Sequence, residues 1–388
     1  MWFFDSPRVV YGEGALSHLG SLVGERACLV TDATLARLGY ARRVCAALEP
    51  TGMSVQIFSD VEPEPSLETV QRGADFLRGC APDWIVALGG GSVIDAAKAM
   101  WVLYERPDLS PEAINPIDAL RLRQKARLVA IPTTSGTGSE ATWAIVLTDV
   151  QERRKLGLGN PENLPDLAIL DPQLVLGMPQ RLTADTGLDA LTHAVEGFTS
   201  TWHNDFSDGL CLNAARLIFE YLPRACQDGA DEEARTHLQN AAAAAGLGFG
   251  NSMAALAHGM GHALGAVFHI PHGRAVALCL PYSIEYCAAQ PAATRFAPLA
   301  RFLGLNAADE TQAAAALAQA IRDLERAVDQ PLTLQACGVT RAALDESMDL
   351  LVADALNDTQ TIMSTRIPET DDLRRLFASV WAGERVNF

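Results

Sequence analysis

Asp83-Trp-Ile-Val-Ala-Leu-Gly-Gly-Gly-Ser-Val-Ile-Asp95 reads as a strand, a turn and the first turn of a helix without a spare residue between them. The apolar run 84–88 has the length of a buried strand. Three glycines follow at once. Beyond them Val93, Ile94, Ala96, Ala97, Met100 and Trp101 recur at helical spacing and form one apolar face. Glycines at a helix N-terminus let backbone N–H groups approach a diphosphate, and the helix dipole favours the negative charge. Ser92 is expected to cap this helix. The segment departs from GxGxxG, because Ile94 occupies the sixth position. Taken alone, the turn fits an ordinary tight connection as well as a phosphate cradle.

On either side of this turn, strands and helices alternate. Residues 1–7 are strand-like, and 8–15 predict a strand ending in a glycine turn. Residues 27–32 and 54–59 predict two more strands, each followed by a helix, at 34–48 and 66–78. A polar, proline-containing insertion at 107–127 reads as a surface loop with one helical turn. Strands at 128–131 and 167–170 complete the pattern, with a hairpin over 144–149 and 153–158. This order predicts a parallel sheet covered by helices. Asp32 ends one strand, where a carboxylate either binds a ribose and repels a 2′-phosphate or caps the next helix. Pro132-Thr-Thr-Ser-Gly-Thr-Gly-Ser-Glu140 is a second loop suited to phosphate or nicotinamide. Lys155 is either a cofactor contact or part of a solvated basic turn.

From residue 183 strand signals nearly vanish. Leu188, Leu191, Val195 and Phe198 make one helical face, and Asp189 and His193 lie four apart on another. Half of the eight histidines fall within 257–273. His258 and His262 share a helix face, and His272 follows Pro271 where the chain turns back. One carboxylate and three imidazoles from Asp189, His193, His258 and His272 suit Fe2+ or Zn2+, with a position open for a substrate oxygen. The competing reading is a solvated polar face and hydrogen-bonded core histidines. Further helices are expected at 292–303, 311–329, 341–355 and 371–382. The chain then divides into an α/β domain, 1–180, and an all-helical domain, 181–388.

At 388 residues, 49% apolar and 20% charged, the chain can bury two cores. A formal charge of −17 argues against nucleic acid or an anionic membrane as a partner. Nothing at the N-terminus reads as a signal sequence. The eight cysteines show no CxxC spacing and predict free thiols in a reducing cytoplasm.

Several motifs in one order carry a resemblance: Val30-Thr-Asp32; Leu88-Gly-Gly-Gly-Ser92 with Asp95; 131–140; Gly187-Leu-Asp-Ala-Leu-Thr-His-Ala194; and His258-Gly-Met-Gly-His262 through Pro271-His-Gly273. With these the chain resembles the iron-containing (group III) alcohol dehydrogenase family along nearly its whole length. The resemblance implies a Rossmann-like N-terminal domain with a parallel sheet and an all-α C-terminal domain, an architecture shared with dehydroquinate synthase. It implies Asp189, His193, His258 and His272 as the metal ligands. His262 is implied as the histidine that takes part in proton transfer, with His269 either supporting the ligands from behind or a bystander. Gly89, Gly90, Gly91, Ser92, Asp95, Thr133, Thr134, Thr137 and Lys155 are implied as cofactor contacts, and Asp32 implies NAD(H) over NADP(H). The implied activity is NAD(H)- and Fe2+-dependent interconversion of a primary alcohol and its aldehyde, with Zn2+ as the alternative ion. A homodimer or larger homo-oligomer is implied. The rivals are a glycerol dehydrogenase-like or maleylacetate reductase-like oxidoreductase and a lyase of the dehydroquinate synthase type. One departure stands out. Many family members carry Asn-Pro-Arg near the C-terminus, where this chain reads Met363-Ser-Thr-Arg-Ile-Pro368.

Overall fold

The computed structural model describes residues 3–151, 154–290 and 294–388. Contacts divide the chain into two compact units, Met1–Met178 and Pro179–Phe388.

The first unit contains, in chain order, β1 (Arg8–Tyr11), β2 (Arg26–Val30), α1 (Ala33–Arg37), α2 (Tyr40–Leu48), β3 (Ser54–Phe58), α3 (Leu67–Cys80), β4 (Trp84–Gly89), α4 (Gly91–Glu105), β5 (Arg127–Pro132), β6 (Ala144–Asp149), β7 (Arg154–Gly159) and β8 (Leu167–Leu170). Six strands form a parallel sheet in the order β1-β8-β5-β4-β2-β3, while β6 and β7 pair antiparallel as a separate hairpin. All six residues of β4 are buried. Alternate residues of β4 feed two cores. Ile85 and Ala87 pack with α3 and α4, whereas Val86 and Leu88 pack with Val44 and Leu48 of α2. Cover on both faces is why this strand is apolar throughout instead of alternating.

Four expectations change. The helical run 34–48 is two helices, broken where Gly39 adopts φ 88. Of the strand-like residues 1–7, Met1 and Trp2 lie outside the described residues, and 3–7 form no strand. The cap of α4 is Gly90, so Ser92 lies inside the first turn instead of capping it. Within the expected helix 292–303, Ala292 and Ala293 lie outside the described residues, and the helix observed there is Phe296–Phe302. Arg153 of the hairpin also lies outside them.

The second unit is helical: α5 (Gln180–Thr199), α6 (Asp205–Gln227), α7 (Glu232–Phe249), α8 (Leu256–Phe268), α9 (His272–Ala288), α10 (Phe296–Phe302), α11 (Glu310–Ala327), α12 (Arg341–Asn357) and α13 (Thr370–Ala382). Helix α5 is its interior element, buried at every residue from Gly187 to Thr199 and packed by α6, α7 and α9. Ala241, Ala242 and Ala245 give α7 a low-profile face within this core. A helix enclosed on all sides should be apolar all round. Instead α5 carries Asp189, His193 and Glu196 into the interior, and each of these polar groups needs a partner there.

Candidate metal centre and dinucleotide turn

Three helices of the second unit bring the metal-ligand candidates together. Helix α5 supplies Asp189 and His193 one turn apart, and α8 supplies His258 and His262. Helix α8 ends at His269, which takes a left-handed φ of 54, and Pro271 starts α9 directly at His272. The reversal returns His272 to the same place. His272 Nε2 stands 3.4 Å from Asp189 Oδ1, His193 Nδ1 3.8 Å and His258 Nε2 3.9 Å. Ligand atoms of Asp189, His258 and His272 all lie within 4.8 Å of one another.

Asp189, His193 and His258 are buried, yet Asp189 Oδ1, His193 Nδ1 and His258 Nε2 have no hydrogen-bond partner. A buried orphan polar group costs about 1–3 kcal/mol, so one carboxylate oxygen and two imidazole nitrogens left together without partners would be a costly core. A cation among them removes that cost. Burial pushes the His193 imidazole down to about 3, which keeps it neutral. Burial alone would raise Asp189, but His193, His272 and His258 more than offset it and hold the carboxyl well below its ordinary range. Ionised carboxylate and neutral imidazole are the forms that bind a metal. The donor set therefore fits a borderline divalent ion.

Two carboxylates that sequence reasoning did not single out complete the centre. Glu196 Oε2 lies 2.6 Å from His258 Nδ1, and the same carboxylate accepts from the N–H groups of Ala255 and Ala257. Since a carboxylate only accepts, Nδ1 carries a proton, and in the neutral ring Nε2 is left bare toward Asp189. Burial opposes protonation of this ring, but Glu196 and Asp189 raise it above its ordinary value, so a cation must displace a proton from Nε2. Asp358 Oδ2 lies 2.6 Å from His262 Nδ1. Glu196 had a signal, because it extends the Asp189–His193 stripe by one more turn. Asp358 lies 96 residues from its histidine, and no spacing rule reaches it. His269 is exposed at the end of α8.

In the first unit the glycine turn closes β4 and opens α4. No side chain caps α4 and no acid sits in its first turn, so its N-terminus keeps the character an anion requires. The loop after β5 lies against this turn. Thr133 N–H donates to Gly89 O at 3.0 Å, and a Cβ on Gly91 would stand 2.8 Å from Thr137 Cγ2. Gly90, Gly91, Ser92, Thr134 and Thr137 are half-buried around it, while Gly89 and Thr133 are buried.

Asp95 lies beneath the turn, buried, with one oxygen accepting from Ser139 Oγ and the other from Val146 N–H. Lys98, fully buried, donates to Ser139 Oγ at 3.1 Å and Ala144 O at 3.0 Å. Burial pushes the Lys98 ammonium down to about 8, against the pull of Asp95 and Glu140. Asp95 thus braces the cradle from below. Lys155, on β7, pairs with Glu64 at 2.7 Å. Asp32 caps α1, its Oδ1 accepting from Thr34 and Leu35 N–H. The helix-cap reading of Asp32 is therefore realised, and Oδ2 takes neither of these bonds.

The family model for iron-containing alcohol dehydrogenase matches residues 6–172, and that for the Fe-containing alcohol dehydrogenase C-terminal region matches 183–381. An NADPH-dependent butanol dehydrogenase of Clostridium saccharobutylicum is 38% identical over all of both chains. Bifunctional aldehyde-alcohol dehydrogenases also match, but this chain spans only 43% of the Escherichia coli one. A 1,3-propanediol oxidoreductase structure superposes with a TM-score of 0.90 at 32% identity, covering 98% of this chain and all of the other. A sulfoacetaldehyde reductase from Bifidobacterium kashiwanohense, solved in complex with NAD+, gives a TM-score of 0.86 at 28% identity over 98% of each chain.

Proposed function

We propose, for a chain that belongs to the iron-containing alcohol dehydrogenase family, that Asp189, His193, His258 and His272 hold an Fe2+ ion at which a primary alcohol and its aldehyde are interconverted. Alcohol oxidation and its reverse, aldehyde reduction, come with the family. The ligand set is supported by one observation above the others: three buried polar atoms without hydrogen-bond partners, Asp189 Oδ1, His193 Nδ1 and His258 Nε2, cluster at one place. Zn2+ would fit the same donors.

Bound Fe2+ supplies Lewis acidity toward the alcohol or aldehyde oxygen, and the nicotinamide carries the hydride. The chain's own residues do the rest. Asp189 offers an anionic oxygen and the imidazoles offer neutral nitrogen. Glu196 holds the His258 ring in one tautomer and one orientation. His262, half-buried and outside the ligand set, holds the proton that the hydroxyl loses or the carbonyl gains. The N-terminus of α4 binds the diphosphate through the N–H groups of Gly91 and Ser92, with Thr134 and Thr137 beside it.

NAD(H) is the proposed partner because a carboxylate at Asp32 repels a 2′-phosphate. Among relatives, the butanol dehydrogenase uses NADPH and the sulfoacetaldehyde reductase binds NAD+, so this preference belongs to Asp32 and not to the family. Short-chain primary alcohols are the proposed substrates, as the names of the butanol and propanediol enzymes suggest. A homo-oligomer in the cytoplasm is proposed from the resemblance and the free cysteines. Among the described residues no helix is long and apolar enough to cross a membrane.

The test is anaerobic purification, metal quantification, and NADH oxidation against a panel of aldehydes before and after chelation. Near-stoichiometric metal, with turnover lost on chelation and restored best by Fe2+, is expected. Bound metal with no turnover on any aldehyde would favour the lyase reading.

A further inference from the structure

The histidines His258 and His262, one turn apart on α8, are treated alike by the fold. Each presents Nδ1 to a carboxylate oxygen at 2.6 Å, the buried Glu196 for the first and the half-buried Asp358 for the second. What differs is the other nitrogen. That of His258 is buried against Asp189, whereas the side chain of His262 is 24% exposed.

Asp358 is not a loose surface acid that happens to swing inward. It follows directly on α12 in a turn tied down at several points. Its Oδ1 accepts from Gln360 N–H at 2.8 Å, which closes an Asx-type turn. Gln360 Oε1 in turn accepts from Ala254 N–H at 3.1 Å, just ahead of α8. Thr361 Oγ1 donates to Ala355 O at 2.7 Å, and Met363 O accepts from Thr201 N–H at 2.9 Å. The same Thr361 lies against α8 where residue 259 is glycine. A Cβ there would stand 2.0 Å from Thr361 Oγ1, so only glycine lets the turn come this close. Four ties and one missing side chain therefore set the distance between Asp358 and His262.

We infer that Asp358 is a positioning residue for His262: its carboxylate takes the Nδ1–H, fixes the ring, and leaves Nε2 as the bare nitrogen that exchanges the substrate proton. A carboxylate cannot donate, so the neutral ring facing it has one tautomer, with the lone pair on Nε2. A free imidazole in water populates both tautomers and rotates. Each wrong state removes the acceptor from the place where the proton must go, and geometry sets the rate of such a transfer before acidity does. The departure of this chain at Met363-Ser-Thr-Arg-Ile-Pro368 leaves the device intact, because the contacts toward α8, Gln360 with Ala254 and Thr361 against Gly259, lie upstream and the tie at Met363 uses only its backbone oxygen. This inference rests on the reading of His262 as the proton carrier.

The experiment compares Asp358→Asn, Asp358→Ala and His262→Gln in the Zn2+-loaded, diamagnetic protein and in the Fe2+ enzyme. In the wild-type Zn2+ form, imidazole 15N NMR should show His262 as the Nδ1–H tautomer, and Asp358→Asn should convert it to a mixture. In the Fe2+ enzyme, kcat for aldehyde reduction should fall about 10–100-fold in both Asp358 variants, the loss typical of removing a group that orients a histidine. Metal content should not change, and KM for NADH should stay within about twofold, since a merely structural loss would move these together. A wild-type His262 in the Nε2–H form overturns the inference without recourse to any variant. So does full kcat in Asp358→Asn when His262→Gln is impaired. Full kcat in His262→Gln instead overturns the proton-carrier reading, and the inference with it.

Discussion

Glu196 shows how one residue prepares another to act as a ligand. Its carboxylate accepts three hydrogen bonds, two from backbone N–H groups and one from His258, and has no freedom left. Glu196→Gln keeps the shape but lets the amide present N–H to the ring, and His258 can then turn its lone pair away from Asp189. Metal affinity, measured by chelator competition, should fall about 10–100-fold while the fold is retained. His258→Ala removes the proposed ligand itself and should abolish both metal content and turnover. Asp32 caps α1, and substitution can separate that cap from its proposed role in choosing the cofactor. Asp32→Asn preserves the cap of α1 and deletes the charge, so the ratio of kcat/KM for NADH to that for NADPH should fall with little change in Tm. Asp32→Gly deletes the charge and also the side-chain cap. An unchanged cofactor ratio in both variants would confine Asp32 to capping.

The glycine turn is rigid because of what lies under it. Helix α4 and the loop after β5 meet through Asp95, Ser139 and Lys98, all buried, with Lys98 also holding the start of β6. Lys98→Met fits the space but leaves Asp95 without its nearby cation, at 3.8 Å in the native chain. Breaking a buried pair by removing one partner typically costs about 3–5 kcal/mol. We expect a lower Tm and about tenfold weaker NADH binding by fluorescence titration, with metal content unchanged. These elements also show what the sequence discloses. The strand–turn–helix of β4 and α4 is legible because its apolar run, glycines and helical face are all local. The Asp189–His193 and His258–His262 pairs are legible for the same reason, as i, i+4 spacing. Ser92 stands two residues inside the cap it was expected to form, because capping preference is a weak prior next to backbone geometry. Asp95 looks like a cofactor contact in a motif, yet its environment is set by Ser139 and Val146, 44 and 51 residues away. Asp358 is the extreme case: a tertiary contact with no local trace.

A chain with a formal charge of −17 still buries carboxyls, and these make its stability depend on pH in ways no surface count reveals. Glu325, on α11, is 2% exposed. Burial pushes its carboxyl up to about 8, with Arg322 and Arg326 only partly opposing it. The unfolded chain releases this proton near its ordinary value of 4.5, so between 4.5 and about 8 the folded state binds more protons than the unfolded one. Stability from this group therefore falls as pH rises through that window. His193 acts with the opposite sign and in a lower window. Held down to about 3 by burial in the metal-free chain, it makes folding of that form more favourable as pH climbs from there toward 6.5. The total profile mixes both limbs, and a difference between variants separates them. Glu325→Gln removes the titration and keeps the shape. Its advantage in Tm over the native chain, at fixed metal loading, should be small at pH 5, grow steadily as pH rises, and level off above pH 8. A difference that is flat from pH 5 to 8 would mean that Glu325 ionises in the folded chain as it does in water.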